Sequence, residues 1–150
     1  MTSVTVLTTR FGEVACAEED IVTFPEGLVG FSELKRFVLV RHGDDSEFRW
    51  LQSLDDGTVA FLVVDPSVYV ENYAPDMPAH IENSLAIDEE TPILVYTVCT
   101  IPNGQPKAMT MNLAGPIVVN AASRRAMQVV LEDERYPVRF PAFRIESDAA

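Results

Sequence analysis

Ten short runs rich in Val, Ile, Phe, Tyr and Thr, each bounded by Gly, Pro, Asn or Asp, occupy most of this chain and constrain its fold more than any other feature. Strands are expected at 4–8, 12–15, 21–24, 37–41, 48–53, 59–65, 93–101, 107–113, 117–120 and 126–132. Helix is scarce: Pro78 near a start and Ile81 and Leu85 four apart predict one over 77–87. Ser32 is placed to cap a single helical turn over 31–36. Many short strands with so little helix must hide their edges in a closed or nearly closed sheet. The fold expected is mainly β, a small antiparallel β-barrel-like domain with one or two short helices.

Turn chemistry supplies the connections. Asp55-Asp56-Gly57 predicts a hairpin between 50–54 and 60–64, and Pro102-Asn103-Gly104 predicts a second between 93–101 and 108–113. The apolar run Ile93-Leu94-Val95-Tyr96 reads as a strand covered on both faces. In Phe24-Pro25-Glu26-Gly27-Leu28-Val29-Gly30-Phe31, a proline and two glycines allow a sharp corner anchored by Phe24, Leu28 and Phe31. Trp50 lies in an apolar hairpin strand and reads as core.

The 150 residues contain no linker or repeat and are expected to form one domain, with its core at about 11–143 and a short flexible C-terminal tail. Cys16 and Cys99 form no C-x-x-C or zinc pattern, so both are expected to be reduced thiols. Neither a secretory leader nor a transmembrane run is recognisable, which points to a cytoplasmic protein with no membrane partner. Charge is uneven: the net −12 resides entirely in residues 1–120, because five arginines balance five acids after Asn120. Such a surface repels phosphate backbones and argues against direct nucleic-acid binding. It favours a basic protein partner, and also serves plain solubility.

Catalytic patterns are missing from the sequence. His42 and His80 lie in no recognisable motif, and there is no G-x-S-x-G elbow, H-E-x-x-H pair or glycine-rich phosphate loop. No catalytic residue, metal ligand, cofactor or small-molecule substrate is therefore assigned. The clusters Asp44, Asp45, Glu47 and Asp88, Glu89, Glu90 do not match a calcium loop and read as solvated loops, with partner contact as the alternative. Arg124 and Arg125 are expected to pair with nearby acids. The competing reading from another class is a small carboxylate-using hydrolase or ligand-binding β-barrel, which needs two carboxylates facing each other in a concave pocket.

Four separated motifs stand in order: the corner 24–31, Phe48-Arg49-Trp50-Leu51-Gln52-Ser53, Ala60-Phe61-Leu62-Val63-Val64-Asp65-Pro66, and Asn112-Leu113-Ala114-Gly115-Pro116-Ile117-Val118-Val119-Asn120. With Gln128-Val129-Val130-Leu131 and Tyr136-Pro137-Val138-Arg139, they resemble the flagellar assembly factor FliW family from about Phe11 to Phe143. Val29 stands where that family usually has a second proline, and Gly115 and Ala126 also depart from its common residues. The resemblance implies a non-enzymatic β-barrel-like protein that binds flagellin in the cytoplasm and antagonises the translational regulator CsrA. On this resemblance, flagellin is expected to occupy it while plentiful and, after export, the freed protein is expected to capture CsrA and relieve repression of flagellin translation. Flagellin's amphipathic terminal helices call for a groove or strand edge with apolar anchors and a polar rim, which the sequence does not locate. Asp44, Asp45, Glu47, Asp88, Glu89 and Glu90 are the residues expected to contact the regulator.

Overall fold

The computed structural model describes residues 3–143, apart from 42, 44 and 45. A hairpin of β1 (Ser3–Thr8) and β2 (Gly12–Ala17) comes first. It is followed by β3 (Val22–Thr23), β4 (Arg36–Arg41), β5 (Arg49–Ser53) and β6 (Ala60–Val64). A long connection carrying α1 (Ala79–Ser84) leads to β7 (Ile93–Thr100) and the short β8 (Thr110–Met111). Finally come β9 (Ile117–Asn120), β10 (Arg125–Gln128) and β11 (Phe140–Pro141).

Strands β3, β4, β5, β6, β7, β9 and β10 close into a seven-stranded ring, because β7 pairs with both β6 and β9. Antiparallel pairing runs throughout except at β10 and β3, which meet in parallel at Arg125 and Thr23. All seven strands send side chains inward, among them Val22, Phe37, Leu51, Val63, Ile117, Val119 and Ala126, packed with Tyr96 and Val98. The interior is filled rather than hollow, as a small barrel requires.

Three covers pack on the outside of this ring. The β1–β2 hairpin lies over β4 and β5: Val14 and Cys16 face Val38 and Val40, and Val38 is buried although it points away from the barrel interior. Arg10 sets its guanidinium 4.0 Å above the Trp50 ring, and the Thr9 amide donates to the Gly57 carbonyl. Over β6 and β7, β8 and β11 join the segment 66–73 around Val64, Met111 and Leu113. Helix α1 presses Ile81 and Leu85 onto Val118, Met127 and Val129.

Several expectations need correction. The segment 31–36 is a turn, not a helical turn capped by Ser32. Leu28 and Phe31 hydrogen-bond each other across Val29-Gly30, and the Phe24 amide donates to the Lys35 carbonyl, drawing the chain back along β3. Only α1 is α-helical among the described residues. The strand expected over 107–113 shrinks to β8, because Pro106 opens a 3-10 turn, Pro106–Ala108. Pro102–Gly104 is likewise a 3-10 turn, although Cys99 does face Met111. Trp50 is half-buried beneath Arg10 rather than fully core. The run 93–96 is not covered on both faces: Ile93 is 40% and Leu94 37% exposed.

Candidate functional site

The exposed start of β7 lies at a gap between two of the three covers. Here Val95 and Val118, neighbours on β7 and β9, form the floor of an apolar groove with Val129 and Leu131. One wall is the segment from Tyr73 to Met77, and Pro66 closes an end. The groove encloses about 370 Å³. Ile93, in phase with Val95, stands at its open side. Leu94, in phase with the inward Tyr96 and paired with the inward Val119, lies beside it at the barrel mouth, so the apolar run that reads as buried supplies accessible surface.

The wall is fixed by hydrogen bonds made on its far side. The Tyr73 hydroxyl donates to the Leu113 carbonyl at 2.6 Å, and the Tyr136 hydroxyl accepts from the Ala74 amide. The two tyrosine rings meet edge to face with centroids 4.7 Å apart. Burial, reinforced by Tyr136, pushes the Tyr73 phenol well above its ordinary range, so the hydroxyl stays protonated and remains a donor. Segment 129–131 is held by the Val129 amide donating to Pro116 and the Leu131 amide to Ala114.

Charge on the rim has one sign. Asp65 and Asp76 line this groove, and no Lys or Arg does. Both carboxylates are solvent-exposed. Asp65 accepts from the Ser67 amide at 2.9 Å and its hydroxyl at 2.7 Å, capping the 3-10 turn Pro66–Val68. A glycosidase-type acid needs a desolvated carboxyl, and this solvated rim does not provide one.

A second depression of about 500 Å³ lies between the 24–31 corner and α1. Its wall is Gly27 to Gly30, and its floor is Met127 to Val130. Gly27 has φ +69°, and a Cβ there would stand 2.5 Å from the Phe31 carbonyl oxygen, so only glycine fits this corner. Gln128 ties corner to floor: its Oε1 accepts from the Val29 amide at 3.0 Å, while its Nε2 donates to the Gly115 carbonyl at 3.0 Å.

The expected contact residues that are described, Glu47, Asp88, Glu89 and Glu90, fall at one end of the barrel. Strand directions place the loop after β4 and the loop before β7 at the same mouth, with β5 and β6 between them. Glu47 belongs to the first and Asp88, Glu89 and Glu90 to the second, all exposed. Asp44 and Asp45 lie outside the described residues. Asp88 is committed within its own loop, where the Thr91 hydroxyl and the Glu90 amide donate to it and hold its carboxyl below the usual range. Arg49 donates to the carbonyls of Ser46 and Phe48, so the first loop also carries a cation. The expected pairing of Arg124 and Arg125 with acids is not seen among the described residues; Arg124 donates to the Asp20 carbonyl instead. Cys16 and Cys99 are both free thiols, and burial pushes the Cys99 thiol up to about 12.

Sequence reasoning missed the groove because its parts lie far apart in the chain. The exposed apolar pair in an otherwise covered outer layer was its only local signal, and periodicity alone assigns such a run to the interior.

These features define a class: a small closed β-barrel with an outer layer of covers, open along one acidic-rimmed apolar groove. A sequence model of the FliW protein family matches residues 5–142. The flagellar assembly factor FliW of Moorella thermoacetica is 40% identical over 139 residues, covering 93% of this chain and 88% of that protein. That of Syntrophus aciditrophicus is 39% identical over 135 residues, covering 90% and 85%. A crystal structure of the flagellar assembly factor FliW superposes with a TM-score of 0.84 at 31% identity, covering 93% of this chain and 97% of that one. The chain belongs to the FliW family of flagellar assembly factors. No helix among the described residues is long and apolar enough to cross a membrane.

Proposed function

We propose that this protein binds flagellin in the cytoplasm and, when flagellin leaves it, captures the translational regulator CsrA and relieves repression of flagellin translation. The observation that carries the flagellin half is the open groove of Ile93, Leu94, Val95 and Val118, whose apolar floor and acidic rim suit an amphipathic helix. Family membership supplies the flagellar setting. The binding of CsrA and its antagonism rest on the family resemblance and on charge. A net −12 surface attracts a basic RNA-binding protein and, once docked, disfavours RNA phosphates nearby. Asp44, Asp45, Glu47, Asp88, Glu89 and Glu90 are the proposed regulator contacts, supported for Glu47, Asp88, Glu89 and Glu90 by the common barrel mouth at which they lie.

The test is a calorimetric titration of the CsrA-type regulator of the same host into this protein, free and preloaded with flagellin. Tight binding that flagellin abolishes is the expected result. Binding of the regulator unaffected by saturating flagellin contradicts the switch, and no heat with the free protein removes the regulator altogether. Raising salt is expected to weaken capture; a salt-independent affinity sinks the electrostatic part.

A further inference from the structure

The two depressions on the outer wall are separate in outline but share a floor. Val129 lines both, and the chain passes directly from Met77 in one to Pro78 in the other. At the outer side of the corner depression stand Val29 and Val130, 65% and 67% exposed. Isolated exposed valines are common on protein surfaces, yet these two flank one depression whose floor continues through Val129 to the groove of the exposed Ile93. Charge agrees across the pair: Glu26 lines the corner depression as Asp65 and Asp76 line the groove, again with no Lys or Arg.

We infer that the groove and the corner depression form one two-part docking track, occupied by a single amphipathic helical segment that carries two apolar clusters and Lys or Arg on its flanks. The inference rests on the flagellin reading above and adds the extent of the site and the chemistry of its occupant. Ile93, on the outward face of β7 with Val95, receives the first cluster, Val29 and Val130 the second, and the start of α1 is the ridge the segment straddles. Gln128 keeps the second half preformed, because its two hydrogen bonds fix the corner wall to the floor before anything binds. Acidic residues on both rims select basic flanks and repel an acidic helix of the same apolar pattern.

Labelled peptides covering the N-terminal and C-terminal segments of the host's flagellin are titrated into the full chain and its variants Ile93→Glu, Val29→Glu, Val130→Glu and Leu7→Glu. These side chains are exposed, so the variants are expected to melt close to the parent. Ile93→Glu, Val29→Glu and Val130→Glu are each expected to weaken the same peptide roughly ten-fold or more, as loss of an anchor at a hot spot does. Leu7→Glu, on the opposite hairpin, is expected to leave it unchanged. Replacing the peptide's Lys and Arg by Gln is expected to weaken binding and flatten its salt dependence. Loss with Ile93→Glu but not with Val29→Glu or Val130→Glu overturns the two-part track and leaves the flagellin reading standing. Full affinity in all of these variants overturns the track and moves the flagellin site elsewhere, and no binding of either peptide to the parent overturns the flagellin reading itself.

Discussion

Two outer faces of the same barrel differ in how they are covered. On the β4–β5 face, the N-terminal hairpin buries Val38 beneath β2, and Arg10 and Phe11 close around Trp50. On the β7–β9 face, α1 and the segment 66–73 each cover one side and leave Ile93 in solvent between them. The barrel interior is equally sealed beneath both faces. An incomplete cover over a complete barrel leaves apolar surface available at little cost to folding, which is what a reversible docking site requires.

The largest effect expected from breaking this arrangement is in the interior, which both faces share. Phe37 is fully buried against Phe24, so Phe37→Ala is expected to cost about 3–5 kcal/mol in a chemical denaturation curve. Next is the covered face alone. A Cβ on Gly57 would collide with the Leu7 carbonyl oxygen, so Gly57→Ala must lift the hairpin and is expected to cost about 1–3 kcal/mol. Its signature is a change in Trp50 fluorescence with peptide affinity unchanged. If affinity at the open face falls equally, the two faces are not independent.

A smaller effect is expected at Asp55, which accepts from the amides of Lys35 and Arg36 and pairs with the Arg36 guanidinium at 3.0 Å. Partial burial pulls its pKa upward, but these bonds prevail and hold the carboxyl below its ordinary value. Its contribution is therefore present at neutral pH and is lost as pH falls through the unfolded value towards the lower folded one. Asp55→Asn is expected to lose about 1–2 kcal/mol at pH 7 and to reduce the acid sensitivity of stability between pH 5 and pH 2, followed by thermal melts. Tyr73→Phe, which removes only the bond to the Leu113 carbonyl, is expected to cost about 1 kcal/mol and to weaken peptide binding through a looser wall. The smallest stability change belongs to the open face: Ile93→Glu is expected to stay within about 0.5 kcal/mol of the parent while losing peptide affinity.

The covered parts of the molecule were legible in the sequence, and the open part was not. Asp55-Asp56-Gly57 marks the β5–β6 turn because local chemistry closes it: Asp56 accepts from Thr58, and Ser53 Oγ accepts from the Asp55 and Asp56 amides. The corner is legible for the same reason, since Gly27 adopts a backbone conformation unfavourable to other residues. Helix α1 follows from Ile81 and Leu85, which are both buried as their spacing predicts. By contrast, exposure of Ile93 and Leu94 depends on where Tyr73, Val118 and Val129 arrive, and no local pattern carries that information. Pairing of β7 with β9, which closes the barrel, is similarly non-local. The acidic loops could be located but not ranked, because only the hydrogen bonds from Glu90 and Thr91 reveal that Asp88 is already engaged.

The most direct test of the open-face account is amide hydrogen exchange on the full chain, with and without saturating flagellin. Added protection at 73–77, 93–95 and 127–131, with the β1–β2 hairpin unchanged, is the result expected. Protection concentrated on the hairpin and β4, with 93–95 unaffected, would contradict it and move the docking site to the face that appears sealed.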